Sequence, residues 1–271
     1  MPTVRLERKG LFGPVGVIDT AHSRRFTIGG VLQGASLLLP PASSVNPSLP
    51  PGPGPVIETR YQLAWLLAGQ RHPAGRGLML GLGGGCGAVG LLHQFSGMTL
   101  DAVDMDPAMV GMAREFHPLV PFYERSGRLR LRTGDATEFL SQARTSYDFV
   151  IADMVVDADR AGLVDSAALI DGLAGASPEI WFRMFGSLPD GEIQPVLEKF
   201  RNSGREVDWM YSPVSASLPI PRTRDWILAA GVRQLPDPGF RMPFAGVPGP
   251  QVELARQAFR KLASSPVPAP R

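Results

Sequence analysis

The chain of 271 residues is long enough for one large domain, or a medium domain with a small companion, around a real hydrophobic core. Its 27 Lys and Arg against 25 Asp and Glu leave no whole-chain electrostatic footprint for nucleic acid or an anionic membrane, so neither is expected as a partner. A single cysteine excludes an internal disulfide and a cysteine metal cluster, and the four histidines lack metal-ligand spacing; no metal is expected, and a cytoplasmic location fits.

MPTVRLERKG mixes charged with apolar residues, and no segment is apolar for ~18 residues, so secretion and membrane spanning are not expected. The first forty residues hold four strand-like pieces, VRLE, VGVID, RRFTIGG and VLQGASLLL, with Gly29 and Gly30 as a hairpin signal between the last two. They predict a small N-terminal β unit. Residues 40 to 55, PPASSVNPSLPPGPGP, deny helix and ladder alike and read as a linker or a mobile flap that orders over a ligand. From Ile57 the pattern becomes helix (IETRYQLAWLLAG) and then alternates: strand GLMLGL, helix AVGLLHQF, strand TLDAVDM, helix PAMVGMAREF, strand RLRLRTG, helix ATEFLSQA, strand YDFVIAD. Such alternation predicts an α/β fold with a mostly parallel sheet covered on both faces by right-handed crossovers. EIWFRMFG reads as another strand, EIQPVLEKFRNSG as a helix stopped by Gly204, REVDWMYSPV and DWILAAG as two last strands, and QVELARQAFRKLA as a helix. The expected units are 1–55, the β unit with its linker; 56–265, a Rossmann-like catalytic domain; and 266–271, a disordered tail.

The chemistry is concentrated at strand ends. GLGGGCG after the first strand of the alternating region is a glycine-rich turn that lets backbone approach a ligand and offers N–H groups at a helix start, although tight turns also use glycine for packing alone. The next strand ends in VDMDP, placing Asp104 and Asp106 roughly 20 residues past the glycines, where a ribose diol needs an acceptor. The following one ends in TGDATEFL, with Asp135 placed to accept from an adenine amino group. Each acid has a plainer use: Asp106 before Pro107 and Asp135 before Ala136 are both good helix N-caps.

GGGCG at 83 to 87, VDMDP at 103 to 107, GDATEFL at 134 to 140 and Asp153 ending YDFVIAD resemble the polyamine aminopropyltransferases, the spermidine synthases. GGVLQ at 29 to 33 is similar to that family's DGxxQ strand and RYQ at 60 to 62 to its Y-[HQ]-E helix start, so the resemblance runs from about residue 25 to residue 230. It implies a class I methyltransferase-type fold with a seven-stranded sheet, a small N-terminal β unit and a homodimer. It also implies a nucleoside co-substrate, S-adenosylmethionine or its decarboxylated form. Gln33 and Gln62 would then touch the nucleoside's tail, Gly83, Gly84, Gly85 and Cys86 would form its loop, Asp104 with Met105 would take the ribose end, and Asp135 with Ala136 the adenine. Asp153 would be the catalytic base or amine anchor, and Tyr61 would line the acceptor pocket.

This chain also departs from that pattern. The family's loop acid is Cys86 here, better read as pocket lining than as a nucleophile because no histidine adjoins it; the Glu after Y-[HQ] is Leu63. The D-x-x-D pair becomes DMVVD, with Asp153 and Asp157 one residue too far apart, and the tyrosine-containing stretch before the last strand is SASLPIPRTRD, bringing Arg222 and Arg224. Three readings stay open: an alkyl transferase whose small-molecule acceptor, an amine by resemblance, is other than ordinary putrescine or whose polyamine specificity is loosened; a small-molecule methyltransferase, or another enzyme acting on intact S-adenosylmethionine; and a non-catalytic nucleoside-binding homologue. Asp157, Asp159 and Asp165 make the stretch after Asp153 acidic, as a cationic acceptor or an exposed loop would both allow.

Overall fold

A computed structural model describes residues 3–21, 23–37, 55–56, 62–142, 146–154, 167–186, 193–211, 224–232 and 259–261. The proline-rich 40–54, Tyr61, the Gln62 side chain, Asp157, Asp159, Asp165, Arg222 and the 266–271 tail lie outside the described residues. The N-terminal unit is a five-stranded antiparallel sheet in the order β1 (Thr3–Gly10), β2 (Gly13–Asp19), β3 (Ser23–Ile28), β4 (Val31–Leu37), β5 (Pro55–Val56). Its four main strands are those read from the sequence. The expected hairpin turns at Gly29 and Gly30, whose φ values of 57° and 80° suit glycine.

The larger unit alternates as expected: α1 (Gln62–Arg71), β6 (Arg76–Leu80), a 3₁₀ turn (Gly83–Gly85), α2 (Cys86–Gln94), β7 (Thr99–Asp104), α3 (Pro107–Phe116), α4 (Val120–Arg125), β8 (Leu129–Thr133), α5 (Ala136–Gln142), β9 (Phe149–Ala152), α6 (Ala167–Ala176), β10 (Ile180–Gly186), α7 (Ile193–Asn202), β11 (Val207–Tyr211), β12 (Arg224–Ala230) and β13 (Phe259–Lys261). The strands form one sheet in the order β13-β11-β12-β10-β9-β6-β7-β8, parallel from β10 to β8 and antiparallel beyond. Strands buried on both faces read as continuous apolar runs, as in LML of β6 and FVIA of β9. One face packs Trp65, Leu91, Phe149 and Trp181 under α1 and α2; the other packs Leu78, Leu80, Ile170 and Phe182 against α6 and Phe200 of α7.

The seven expected strands are all present, and a three-residue edge strand, Phe259–Lys261, joins them by pairing antiparallel with β11 within the stretch read as a helix. At those three positions ladder bonds along the sheet edge win over helical periodicity. Helices α4 and α6 were not read from the sequence, since α4 is six residues long and α6, AALIDGLAGA, carries two glycines that dilute its pattern.

The two sheets meet over the glycine turn. Val15, Val17 and Phe26 of the small sheet form one apolar cluster with Cys86 of α2 and Met109 and Met112 of α3. Arg24 Nη1 donates to the Phe116 carbonyl at 2.8 Å, and Leu11 N–H donates to Asp106 Oδ2 at 2.9 Å.

Candidate functional site

Sheet order reverses between β6 and β9: chain from β6 proceeds outward to β7 and β8, while chain from β9 proceeds the other way to β10. In open parallel sheets a ligand crevice forms at the carboxyl ends of the strands at such a point. Here the tips are fastened together. Gly81 N–H donates to the Val103 carbonyl and Asp153 N–H to the Leu80 carbonyl, both at 2.8 Å. Gly81 has φ 88°, and a Cβ on it would lie 2.1 Å from the Asp153 carbonyl oxygen, so only glycine permits this junction.

Gly83, Gly84 and Gly85 follow with φ of 54°, 83° and 90°, and Gly85 begins α2 with no side-chain cap. Their lack of a side chain is also required by neighbours. A Cβ on Gly84 would lie 2.4 Å from the Phe26 ring, and one on Gly83 would lie 3.1 Å from the Gln33 carbonyl oxygen. The small sheet therefore sits directly on the loop. The Gln33 side chain donates to the Val31 carbonyl at 3.4 Å, and Gly34 lies where a Cβ would come within 3.0 Å of Cys86 Sγ. Cys86 is 3% exposed and packs in the apolar junction between the sheets, which accounts for a small apolar side chain there.

Asp104, at the tip of β7, accepts from Leu82 N–H with Oδ2 at 2.8 Å and from Asp106 N–H with Oδ1 at 2.9 Å. The first bond ties the carboxylate to the start of the glycine loop across 22 residues of sequence. Burial pushes the Asp104 carboxyl above the usual aspartate range; the two N–H bonds oppose this, and the nearby charges of Asp106 and Asp153 add to it. Asp106 is the N-cap read from the sequence, accepting from Ala108 N–H at 2.9 Å, with Pro107 at the first helical position. Asp135 also caps its helix, Oδ1 accepting from Glu138 N–H at 2.9 Å, while the residue itself stays exposed. Gly134 N–H donates to the Asp104 carbonyl at 3.0 Å, which holds the β8 tip beside the β7 tip. Between the acids, Met105 is 43% exposed, one of three large apolar side chains so exposed among the described residues. Ala136 is half-buried against the core beneath α5.

Asp153 is not alone at its tip. Arg183 of β10 donates from Nη1 to Asp153 Oδ1 at 2.8 Å, with both side chains largely buried. Phe182 pairs in register with Ala152, so the residues after each stand side by side on neighbouring parallel strands. Sequence reading missed Arg183. The available signal was a lone cation inside the apolar run EIWFRMFG, where a charge needs a buried partner.

No protein-family model and no curated protein matches the sequence. Solved structures do. A probable spermidine synthase from Corynebacterium glutamicum superposes with a TM-score of 0.63 at 16% identity, covering 83% of this chain and 78% of that one. The fold is that of the spermidine synthases. A spermidine synthase in complex with the transition-state analogue AdoDATO gives a TM-score of 0.61 at 12% identity over 94% of this chain and 84% of that chain; the enzyme from Thermotoga maritima gives 0.59 at 12% identity over 95% and 84%. The spermidine synthase fold thus spans both the small antiparallel sheet and the larger, mostly parallel one, as the motif resemblance implied.

Proposed function

We propose that this chain is a spermidine synthase-like transferase that binds S-adenosylmethionine or its decarboxylated form at the β6–β8 tips and passes an alkyl group to a small-molecule acceptor. One juxtaposition carries the reading: Asp104 at the tip of β7, followed by the exposed Met105, and Asp135 just past the tip of β8 stand on adjacent strands beside the topological reversal. An exposed thioether next to one carboxylate, with a second carboxylate on the adjacent strand tip, suits a ligand with an apolar ring, an exocyclic amine and a diol. The donor, when bound, would supply a sulfonium centre whose attached carbon is open to in-line displacement.

The chain's own residues would orient and deprotonate. Asp104 fixes the glycine loop through Leu82 and presents its carboxylate to the ribose hydroxyls. Gln33, beside Gly83, would lie near the ligand's tail. Asp153, whose Oδ1 accepts from Arg183, is the proton acceptor for an attacking acceptor group, and holding that group close contributes much of the rate. A second reading, methyl transfer from intact S-adenosylmethionine, is favoured by the same Arg183, since a cation on the candidate amine anchor suits a polycationic acceptor poorly. Calorimetric titration of the full chain with each nucleoside tests the proposal: saturable one-site binding of at least one is expected, and binding of neither overturns it.

A further inference from the structure

Asp106 does more than cap a helix. Its Oδ1 accepts from Ala108 N–H at 2.9 Å, and that one bond is all that an N-cap requires. Its Oδ2 accepts from Leu11 N–H, also at 2.9 Å, in the turn between β1 and β2, 95 residues away in sequence. Serine or threonine would serve the cap with one oxygen; only a side chain with a second acceptor reaches the small sheet as well. The hairpin is shaped to receive it. Gly10 lies beside Asp106, where a Cβ would run into Oδ2. Asp106 is 1% exposed, and keeping a carboxylate there costs solvation that a neutral cap would avoid.

The main chain of Asp106 faces the other way. Its N–H donates to Asp104 Oδ1 at 2.9 Å, and Asp104 Oδ2 accepts from Leu82 N–H at 2.8 Å at the start of the glycine loop. Hydrogen bonds thus run without a break from the small sheet through Asp106 and Asp104 to the loop. Each Asp104 oxygen takes one N–H and keeps a lone pair for a ligand hydroxyl. Where that carboxylate points depends on where the Asp106 N–H stands, and this depends in turn on the hairpin that holds the Asp106 side chain. We propose that Asp106 is a positioning residue, through which the small sheet aims the Asp104 carboxylate at the ribose diol. The inference rests on the nucleoside reading above and deepens it.

The probes are 5′-methylthioadenosine and its 2′-deoxy counterpart, titrated by calorimetry into the full chain. The wild type is expected to prefer the ribose form about tenfold or more, the worth of one hydrogen bond to a charged group. Asp106→Asn keeps an oxygen for Ala108 N–H but turns an amide donor toward Leu11 N–H, so residue 106 and the hairpin must part. It is expected to cut the preference to about threefold or less. Should D106N not fold, Gly10→Ala leaves both carboxylates and the cap in place, crowds Oδ2, and is expected to shrink the same ratio severalfold. Urea unfolding of the same proteins separates aiming from fastening. Lost stability with the ratio intact would make Asp106 only a joint between the sheets and overturn this inference alone. Binding by the wild type without a ribose preference would overturn it too, with the nucleoside reading left standing. If 5′-methylthioadenosine fails to bind the wild type, the nucleoside reading falls and this inference with it.

Discussion

Asp104 and Arg183 show at the residue scale why some of the candidate site is legible in the sequence and some is not. Asp104 was legible because its distance past the glycines and its place at a strand end are local properties, and the structure joins it to Leu82 as those positions allow. Asp135 and Asp106 were legible as caps, for the same local reason. Arg183 was not, because its partner lies 30 residues away on a neighbouring strand and only the parallel register brings them together. Gly81 carries the sharpest requirement at this scale. Gly81→Ala would have to adopt a left-handed backbone and push a methyl into the Asp153 carbonyl. It is expected to cost at least about 2 kcal/mol of folding stability, as read by urea denaturation. An unchanged midpoint would show that the tips of β6 and β9 are not packed as described.

At the scale of elements, alternating strands and helices announced the parallel sheet, and every strand expected from β6 to β12 is present. Helix α6 is legible from topology and not from local pattern. β9 and β10 pair parallel, and a parallel pair requires a crossover of a dozen or more residues. The edge strand Phe259–Lys261 was not legible, because its partner β11 supplies the pairing and nothing local does. At the opposite end of the sheet from the site, Glu179 joins α1 to β10. Its carboxylate accepts from Arg71 at 2.7 Å, lies 3.1 Å from His72 Nε2, and accepts from Trp181 Nε1 at 2.8 Å. Burial raises its pKa, but the bonds from His72, Arg71 and Trp181 outweigh that and hold the carboxyl below the usual glutamate range. Glu179→Ala removes the acceptor shared by these groups and is expected to destabilise the chain by about 3 kcal/mol, measurable by thermal or urea unfolding. A loss under about 0.5 kcal/mol, the range of an exposed substitution, would contradict the buried network.

Across the whole molecule, the small sheet is fastened to the large one around the glycine loop, and His117 sits in that seam. Its ring stacks on Phe26 at a centroid distance of 6.0 Å, Nδ1 accepts from Leu119 N–H at 3.2 Å, and Nε2 is buried with no hydrogen-bond partner. Burial, with the charge of Arg24 beside it, lowers its pKa to about 3. The folded state excludes the proton that the unfolded chain accepts near the ordinary histidine value of about 6.5. This contribution to stability is therefore complete above that pH and is lost progressively as pH falls toward about 3. Between pH 6.5 and 4.5 it should amount to about 2–3 kcal/mol, seen as a loss in the wild type that is smaller by that amount in His117→Phe. Equal pH dependence in the two proteins would place His117 outside a closed seam. The seam matters because the sheet it holds covers the loop assigned to the nucleoside. That assignment is tested most directly by titrating 5′-methylthioadenosine into the wild type and into Asp104→Asn. The account predicts saturable binding by the wild type and an affinity at least about tenfold lower in the variant, the worth of one charged hydrogen bond. Equal affinities in the two proteins, or no binding to the wild type, would contradict it.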